Sequence, residues 1–364
     1  MPLPLRPVVV LLGCLAATTA CSDPAPQQQK PAAAKPAAPA PPKPPVVAAA
    51  PAPAPAAPSP LAQAVNAAAF DPAATTPEAK QAYLTRAQVL LDRAHFSPGV
   101  IDGQDGGNLS LAISAFQEAH RLTVDGKLRP ATWDALVADS APALTDYVIT
   151  EQDVAGPFTP DIPKDDYEAM AQLPALGYGT PLEALAEKFH MDEPLLQALN
   201  PGVDFSKAGT TIIVAALGPD GLDGKVTRIE IDNAKGVLKA YADGDRLLAV
   251  YPATVGSTER PPPVGEWAVK TLAPNPTYTY DPSRLTFGKP KAKLTIKPGP
   301  NNPVGSTWID LTKDTYGIHG TPDPRLVNKR ASHGCVRLAN WDAAELGAAV
   351  QKGAKVVFEG QPTR

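Results

Sequence analysis

The sequence predicts a multidomain α+β chain: a small three-helix domain, a βααβ unit and a mostly-β C-terminal domain, either a sandwich or an open barrel. Three observations predict it. Residues 22–75 are dominated by Pro and Ala and cannot build a core, so they read as a disordered tether. From Thr76 to about 140, apolar residues recur at helical spacing. From 225 to 360 they recur at period two in short runs broken by turn residues.

The 364 residues carry a formal net charge of −4 and no long basic run, which argues against nucleic acid as a partner. Cys14 and Cys21 lie near the N-terminus, and Cys335 stands alone in the rest of the chain. That distribution excludes a disulfide scaffold.

Residues 1–21 have a short positive region at Arg6, an apolar run from Val8 to Ala17 and small residues behind it. This is the layout of a secretory signal, so the chain is expected to be exported to the cell envelope or periplasm. Thr18-Thr19-Ala20-Cys21 resembles a lipoprotein processing site, which implies Cys21 as the lipidated residue and a membrane contact through that anchor alone. Leu11-Leu12-Gly13-Cys14 fits the tetrapeptide but leaves too little apolar chain before it, and plain cleavage after Ala20 is the alternative. Ser22 beside Cys21 favours an outer membrane if there is one. In the polyproline II form, at ~3.1 Å per residue, the tether reaches roughly 100 Å.

In the segment 76–140, Thr76 caps a helix that opens at Pro77 and carries Leu84, Ala87, Leu91 and Ala94. A second helix carries Leu109, Ile113 and Phe116, and a third opens at Arg129-Pro130. Asp-Gly recurs at 102 and 125, each time before a helix, as in an internal pseudo-repeat. Asp-Gly is turn chemistry rather than a metal site. His95 and His120 read as ordinary helix residues. VLLDRAHF, GVIDG, AISAFQEAHRL and VDGKLRPATWDAL, in that order, resemble the peptidoglycan-binding domain of wall hydrolases, with a longer loop at Gln104–Asn108. The implied partner is the glycan and peptide of the bacterial wall.

In the segment 141–218, Tyr147–Thr150 begins a strand, Thr180-Pro181 opens one helix and Pro194–Leu199 forms another. Ala208–Val214 is a closing strand. The order, the LNPG turn and the AGTTIIV end resemble a LysM sugar-binding module, interrupted by an insertion from about Asp153 to Gly179. His190, at a helix end, reads as a cap or surface residue.

In the segment 225–360, strands are expected at Val226–Ile231, Val237–Tyr241, Leu247–Tyr251, Gly265–Lys270, Trp308–Leu311, Tyr316–His319 and Lys355–Phe358. Asp243-Gly244 supplies a hairpin turn, and Asp342–Val350 is a helix. The stretch Tyr316–Leu338 gathers His319, Ser332, His333 and Cys335. A thiol beside an imidazole is the minimum for thiolate catalysis. His333, two residues from Cys335, and His319, at a strand end, both qualify as the base, and spacing does not choose between them. Gly334 allows close approach to the backbone, where amides near Cys335 are natural oxyanion donors. The competing readings are a core cysteine, which the polar neighbours oppose, a redox thiol, and a zinc site of His319, His333 and Cys335, which lacks a supporting carboxylate in sequence.

IHGTPDP followed by SHGCVRL and NWDAAEL, with GSTERPPPVGEWAV and NNPVGSTWIDL upstream, resembles the L,D-transpeptidase (YkuD-type) catalytic domain. The resemblance implies Cys335 as nucleophile and His319 as proton acceptor and donor. The Gly320 carbonyl would orient that base, and Ser332 and His333 would stand in the pocket. Arg337 can grip a substrate carboxylate. It further implies attack on a tetrapeptide stem, loss of D-alanine, a thioester intermediate and transfer to an amine, with no metal or organic cofactor. The alternatives are an L,D-carboxypeptidase or D-amino-acid exchange enzyme, and a non-catalytic wall-binding lipoprotein.

Overall fold

A computed structural model describes residues 59–164, 166–256, 261–283, 290–329 and 334–360. The signal region, Cys21, most of the tether, Ser332 and His333 lie outside the described residues.

Folding begins earlier than Thr76. Helix α1 (Pro60–Ala67) opens on Pro60, with the Ser59 hydroxyl accepting from the Ala62 amide at 3.2 Å. Ala62 and Val65, three apart, give it one buried face. Asn66 then holds the backbone of Leu144 in both directions, at 3.0 and 2.8 Å. The last part of the expected tether is therefore ordered, because a short apolar stripe inside Pro/Ala-rich sequence finds a partner surface.

Helices α2 (Pro77–Arg93), α3 (Gly107–Ala119) and α4 (Pro130–Leu136) follow. Leu84, Ala87, Leu91, Leu109, Ile113, Phe116, Trp133 and Leu136 share one core, whereas Ala94 is exposed at the helix end. The two Asp-Gly turns are built alike. Gln88 Oε1 accepts from the amides of Asp102 and Gly103, and Gln117 Oε1 accepts from those of Asp125 and Gly126. Each amide group also donates to the aspartate, at 2.8 and 3.1 Å. Both carboxylates are engaged in turn chemistry.

Strands β1 (Leu144–Val148) and β2 (Thr211–Ala215) pair antiparallel around α5 (Glu151–Val154), α6 (Tyr167–Gln172), α7 (Pro181–Lys188) and α8 (Glu193–Leu199). Asn200, the Asn of LNPG, is buried and brackets β2: it accepts from the Ile213 amide at 2.6 Å and donates to the Ile213 carbonyl at 2.8 Å.

The C-terminal domain contains β3 (Val226–Asp232), β4 (Val237–Tyr241), β5 (Leu247–Pro252), β6 (Thr254–Val255), β7 (Gly265–Pro274), β8 (Tyr278–Tyr280), β9 (Leu294–Ile296), β10 (Thr307–Leu311), β11 (Gly317–His319), β12 (Val336–Arg337), α9 (Asn340–Ala349) and β13 (Val350–Glu359). Nine of these described strands form one sheet in the order β5-β4-β3-β13-β7-β10-β11-β12-β6. Its two end strands, β5 and β6, are separated in the chain by Ala253 alone, so the sheet curls back on itself. Ile229, Leu238, Tyr251, Ile309, Ile318, Val356 and Phe358 fill the interior with Ala343 and Leu346 of α9. Strand β7 runs past the expected Lys270 because its ladder with β10 continues to Thr307↔Pro274. The hairpin between β4 and β5 turns on Gly244 (φ 70°) and Asp245 (φ 59°).

The outer edge of β5 is occupied by the helical segment. Val250 donates to the His95 carbonyl and accepts from the Ser97 amide, both at 2.9 Å. Ile101 is bridged to Met191 in the same manner. His95 and His190 are not ordinary helix or surface residues. His95 pairs with Glu345 of α9 at 2.9 Å; His190 pairs with Asp92 at 3.0 Å and stacks on Trp341 at 5.0 Å. The insertion after β1 carries Met170 and Leu176, which pack with Ile296 of β9, and Tyr167 stacks on Tyr280 at 5.2 Å.

Candidate active site

Strands β11 and β12 run parallel, with Ile318 opposite Val336 and His319 opposite Arg337. Cys335 enters β12 and His319 ends β11, so the pairing brings the two ends of the Tyr316–Leu338 stretch side by side. The Leu338 amide donates to the His319 carbonyl at 2.8 Å and fixes the register.

His319 is buried, at 4% exposure. Its Nδ1 lies 2.6 Å from the Gly320 carbonyl. A carbonyl can only accept, so Nδ1 carries the hydrogen and Nε2 presents a lone pair. Burial pushes the imidazole pKa down to about 3; the Arg337 guanidinium adds to the fall, and the Gly320 hydrogen bond opposes it. The ring is kept neutral in the resting site. Trp308 stacks on the imidazole, and Gly317 makes room for the indole: a Cβ there would come within 2.5 Å of it.

Cys335 is half-buried, its Sγ 3.7 Å from the Thr315 carbonyl. Gly334 before it is buried and has φ 109°, a conformation that favours glycine, and it turns the chain into β12. The Arg337 guanidinium has a lowered pKa, first through burial, while Tyr167, Cys335 and Asp323 oppose the fall electrostatically. Its Nε has no hydrogen-bond partner among the described residues.

Sequence reasoning did not single out Trp308, Asn340 or Glu187. Asn340 Oδ1 accepts from the amides of Ser306 (3.2 Å) and Thr321 (3.0 Å), and a Cβ on Gly320 would stand 2.1 Å from that oxygen. Asn340 Nδ2 donates to Glu187 of α7 and, at 3.1 Å, to the Pro300 carbonyl. Trp308 had a signal: the two strands predicted around it and His319 need only pair as a hairpin to bring them face to face. Among the described residues, which do not include His333, no group of three His, Cys, Asp or Glu is placed to hold a metal ion.

Residues 226–358 match the family model described as "L,D-transpeptidase catalytic domain", and residues 81–136 match "Putative peptidoglycan binding domain". A Bacillus licheniformis protein named "Putative L,D-transpeptidase YkuD" is 31% identical over 181 residues, spanning 49% of this chain and 93% of the relative. "Probable L,D-transpeptidase YbiS" of Escherichia coli K12 is 29% identical over 197 residues, spanning 52% of this chain and 63% of the relative. L,D-transpeptidase 3 from Mycobacterium tuberculosis, solved with a faropenem-derived adduct, aligns at 16% identity over 41% of this chain and 67% of that one, with a TM-score of 0.30.

Proposed function

The chain belongs to the L,D-transpeptidase family, and from that premise we propose that it cross-links peptidoglycan through a thioester on Cys335. The observation that carries the reading is the buried His319, its Nδ1 held by the Gly320 carbonyl at 2.6 Å, on the strand that pairs with the strand Cys335 leads into.

The steps use this chain's own groups. The Cys335 thiol gives its proton to His319 Nε2, and the sulfur attacks the carbonyl between the diamino acid and the terminal D-alanine of a tetrapeptide stem. The amides around Gly334 and Cys335 receive the oxyanion. His319 returns the proton to the departing D-alanine nitrogen, leaving a thioester. An acceptor amine then attacks the thioester and loses a proton to His319. The tetrahedral intermediate collapses, and His319 passes the proton back to the sulfur as it leaves. Arg337 is the residue for a stem carboxylate, and the family resemblance makes Ser332 and His333 further candidates for stem binding. Because His319 is buried, the imidazolium persists only while a negative sulfur or oxyanion offsets it.

The remaining parts fit delivery to the wall: an exported chain, anchored at Cys21, with domains over 76–140, 141–218 and 225–360, the first binding peptidoglycan and the second a LysM-like unit. The acceptor is the side-chain amine of another stem or a lysine of an envelope protein.

Muropeptide analysis of the purified protein with tetrapeptide stems tests the reading. Dimers with free D-alanine are expected, and none with Cys335→Ala. Dimers made equally by Cys335→Ala would overturn it, and D-alanine released without dimers would place the chain among the carboxypeptidases. A carbapenem should add its mass to the wild type and not to Cys335→Ala.

A further inference from the structure

Glu187 belongs to α7 in the middle unit, yet its carboxyl reaches the catalytic domain and bonds Asn340, 153 residues away. Asn340 has two amide hydrogens and one oxygen, and all are used: Nδ2 donates to Glu187 and the Pro300 carbonyl, while Oδ1 accepts from Ser306 and Thr321. A carboxamide with every group engaged has a fixed plane. That plane lies against Gly320, and the Gly320 carbonyl is the acceptor for His319 Nδ1. The path from the middle unit to the base is thus one hydrogen bond to Asn340, one to Thr321 with contact at Gly320, and one to the ring.

Among the described residues, the bond to Asn340 is the hydrogen bond that links Glu187 to the catalytic domain. Tyr178 hydrogen-bonds to it from its own unit. Glu183, the other nearby carboxylate, is committed to the Gly179 amide (2.6 Å) and to Asn301 Nδ2 (2.7 Å). Burial pushes the Glu187 pKa up to about 8, against the bonds from Asn340 and Tyr178 and with Glu183 adding to the rise. At neutral pH the carboxyl is mostly uncharged, and a carboxamide is its close mimic.

We propose that Glu187 is a positioning residue for the transfer reaction: through Asn340 it fixes the Gly320 carbonyl and so the orientation of the His319 ring. The proposal rests on the functional reading above. It gives the middle unit a role in the chemistry of its neighbour, separate from any glycan it binds.

The test uses the full chain and two readouts. One is the rate of carbapenem acylation against carbapenem concentration. The other is the pH profile of iodoacetamide alkylation, followed on the Cys335 peptide by mass spectrometry, which needs no assumption about substrate. In Glu187→Ala the maximal acylation rate is expected to fall about tenfold with the half-saturating concentration unchanged, as displacement of a catalytic group dictates. The midpoint of the alkylation profile should move to higher pH. Glu187→Gln should stay within about twofold of wild type, because its carboxamide oxygen accepts the same Asn340 hydrogen. If Glu187→Ala does not fold, Glu187→Met fills the volume without an acceptor and faces the same criteria. An Ala or Met variant matching wild type in both readouts overturns the proposal. So does a Gln variant as impaired as Ala, or a loss confined to the half-saturating concentration. A wild type that resists carbapenem while Glu187→Ala still shifts the alkylation profile defeats the functional reading and leaves the positioning role standing.

Discussion

Trp308 and His319 face each other directly across the β10–β11 ladder, their rings 5.6 Å apart between centroids and 17° from parallel. Burial is the main reason the ring resists protonation, and the indole contributes to it by taking the place of water on one face of the imidazole. Trp308→Ala should raise the His319 pKa toward its ordinary value, moving the acid limb of the acylation pH profile upward. Trp308→Phe, which keeps an aromatic cover, should leave the limb near its wild-type position.

The depressed His319 pKa also bears on stability. Between the ordinary value of 6.5 and about 3, the unfolded chain binds a proton that the folded chain refuses. The native state is therefore undisturbed by this group above pH 6.5 and loses stability as pH falls toward 3. His319→Gln removes that liability. Its melting temperature should gain on wild type as pH drops from 7 to 4.

Glu187 has the opposite slope. Its pKa rises from 4.5 to about 8 on folding, so the native state holds a proton the unfolded chain has released. Stability falls as pH climbs through that window and levels off above it. Thermal melts of Glu187→Gln should show an advantage over wild type that grows from pH 5 to pH 8 and is then constant.

Gly320→Ala places a methyl group 2.1 Å from Asn340 Oδ1, a separation that forces the turn or the carboxamide to move. A destabilisation of about 1–3 kcal/mol is expected from overpacking. Acylation should fall further than the stability loss accounts for, because the displaced carbonyl is the one that bonds His319.

Gln88→Ala and Gln117→Ala each strip two turn amides of their acceptor. Each should cost about 1–3 kcal/mol, the penalty for unsatisfied backbone groups. The double variant should lose close to the sum in urea titration, since the two turns share no partner.

Much of this fold was legible locally. The Thr76-Pro77 and Thr180-Pro181 openings cap the helices they predict, and the period-two runs from Val226 to Phe358 are strands. The Cys335 and His319 ends of the candidate site stand in one stretch of sequence. What stayed hidden depends on docking between distant segments. Glu187 is one polar residue on a short helix and reads as solvent-facing until α9 is placed against it. His95 looked ordinary because Glu345, its partner, lies 250 residues away. Helix α1 was hidden for another reason: only Ala62 and Val65 mark its buried face, inside sequence whose composition reads as unstructured.

The backbone bonds between Val250 and the His95–Ser97 segment have a consequence for how such proteins are assembled from parts. A catalytic domain excised or shuffled away from its helical companion would leave the Val250 amide and carbonyl bare on the edge of β5, a place for a second molecule to pair. The companion therefore works as an edge guard. Exchanging it for a different module would change how the C-terminal domain behaves in solution, whatever the new module binds.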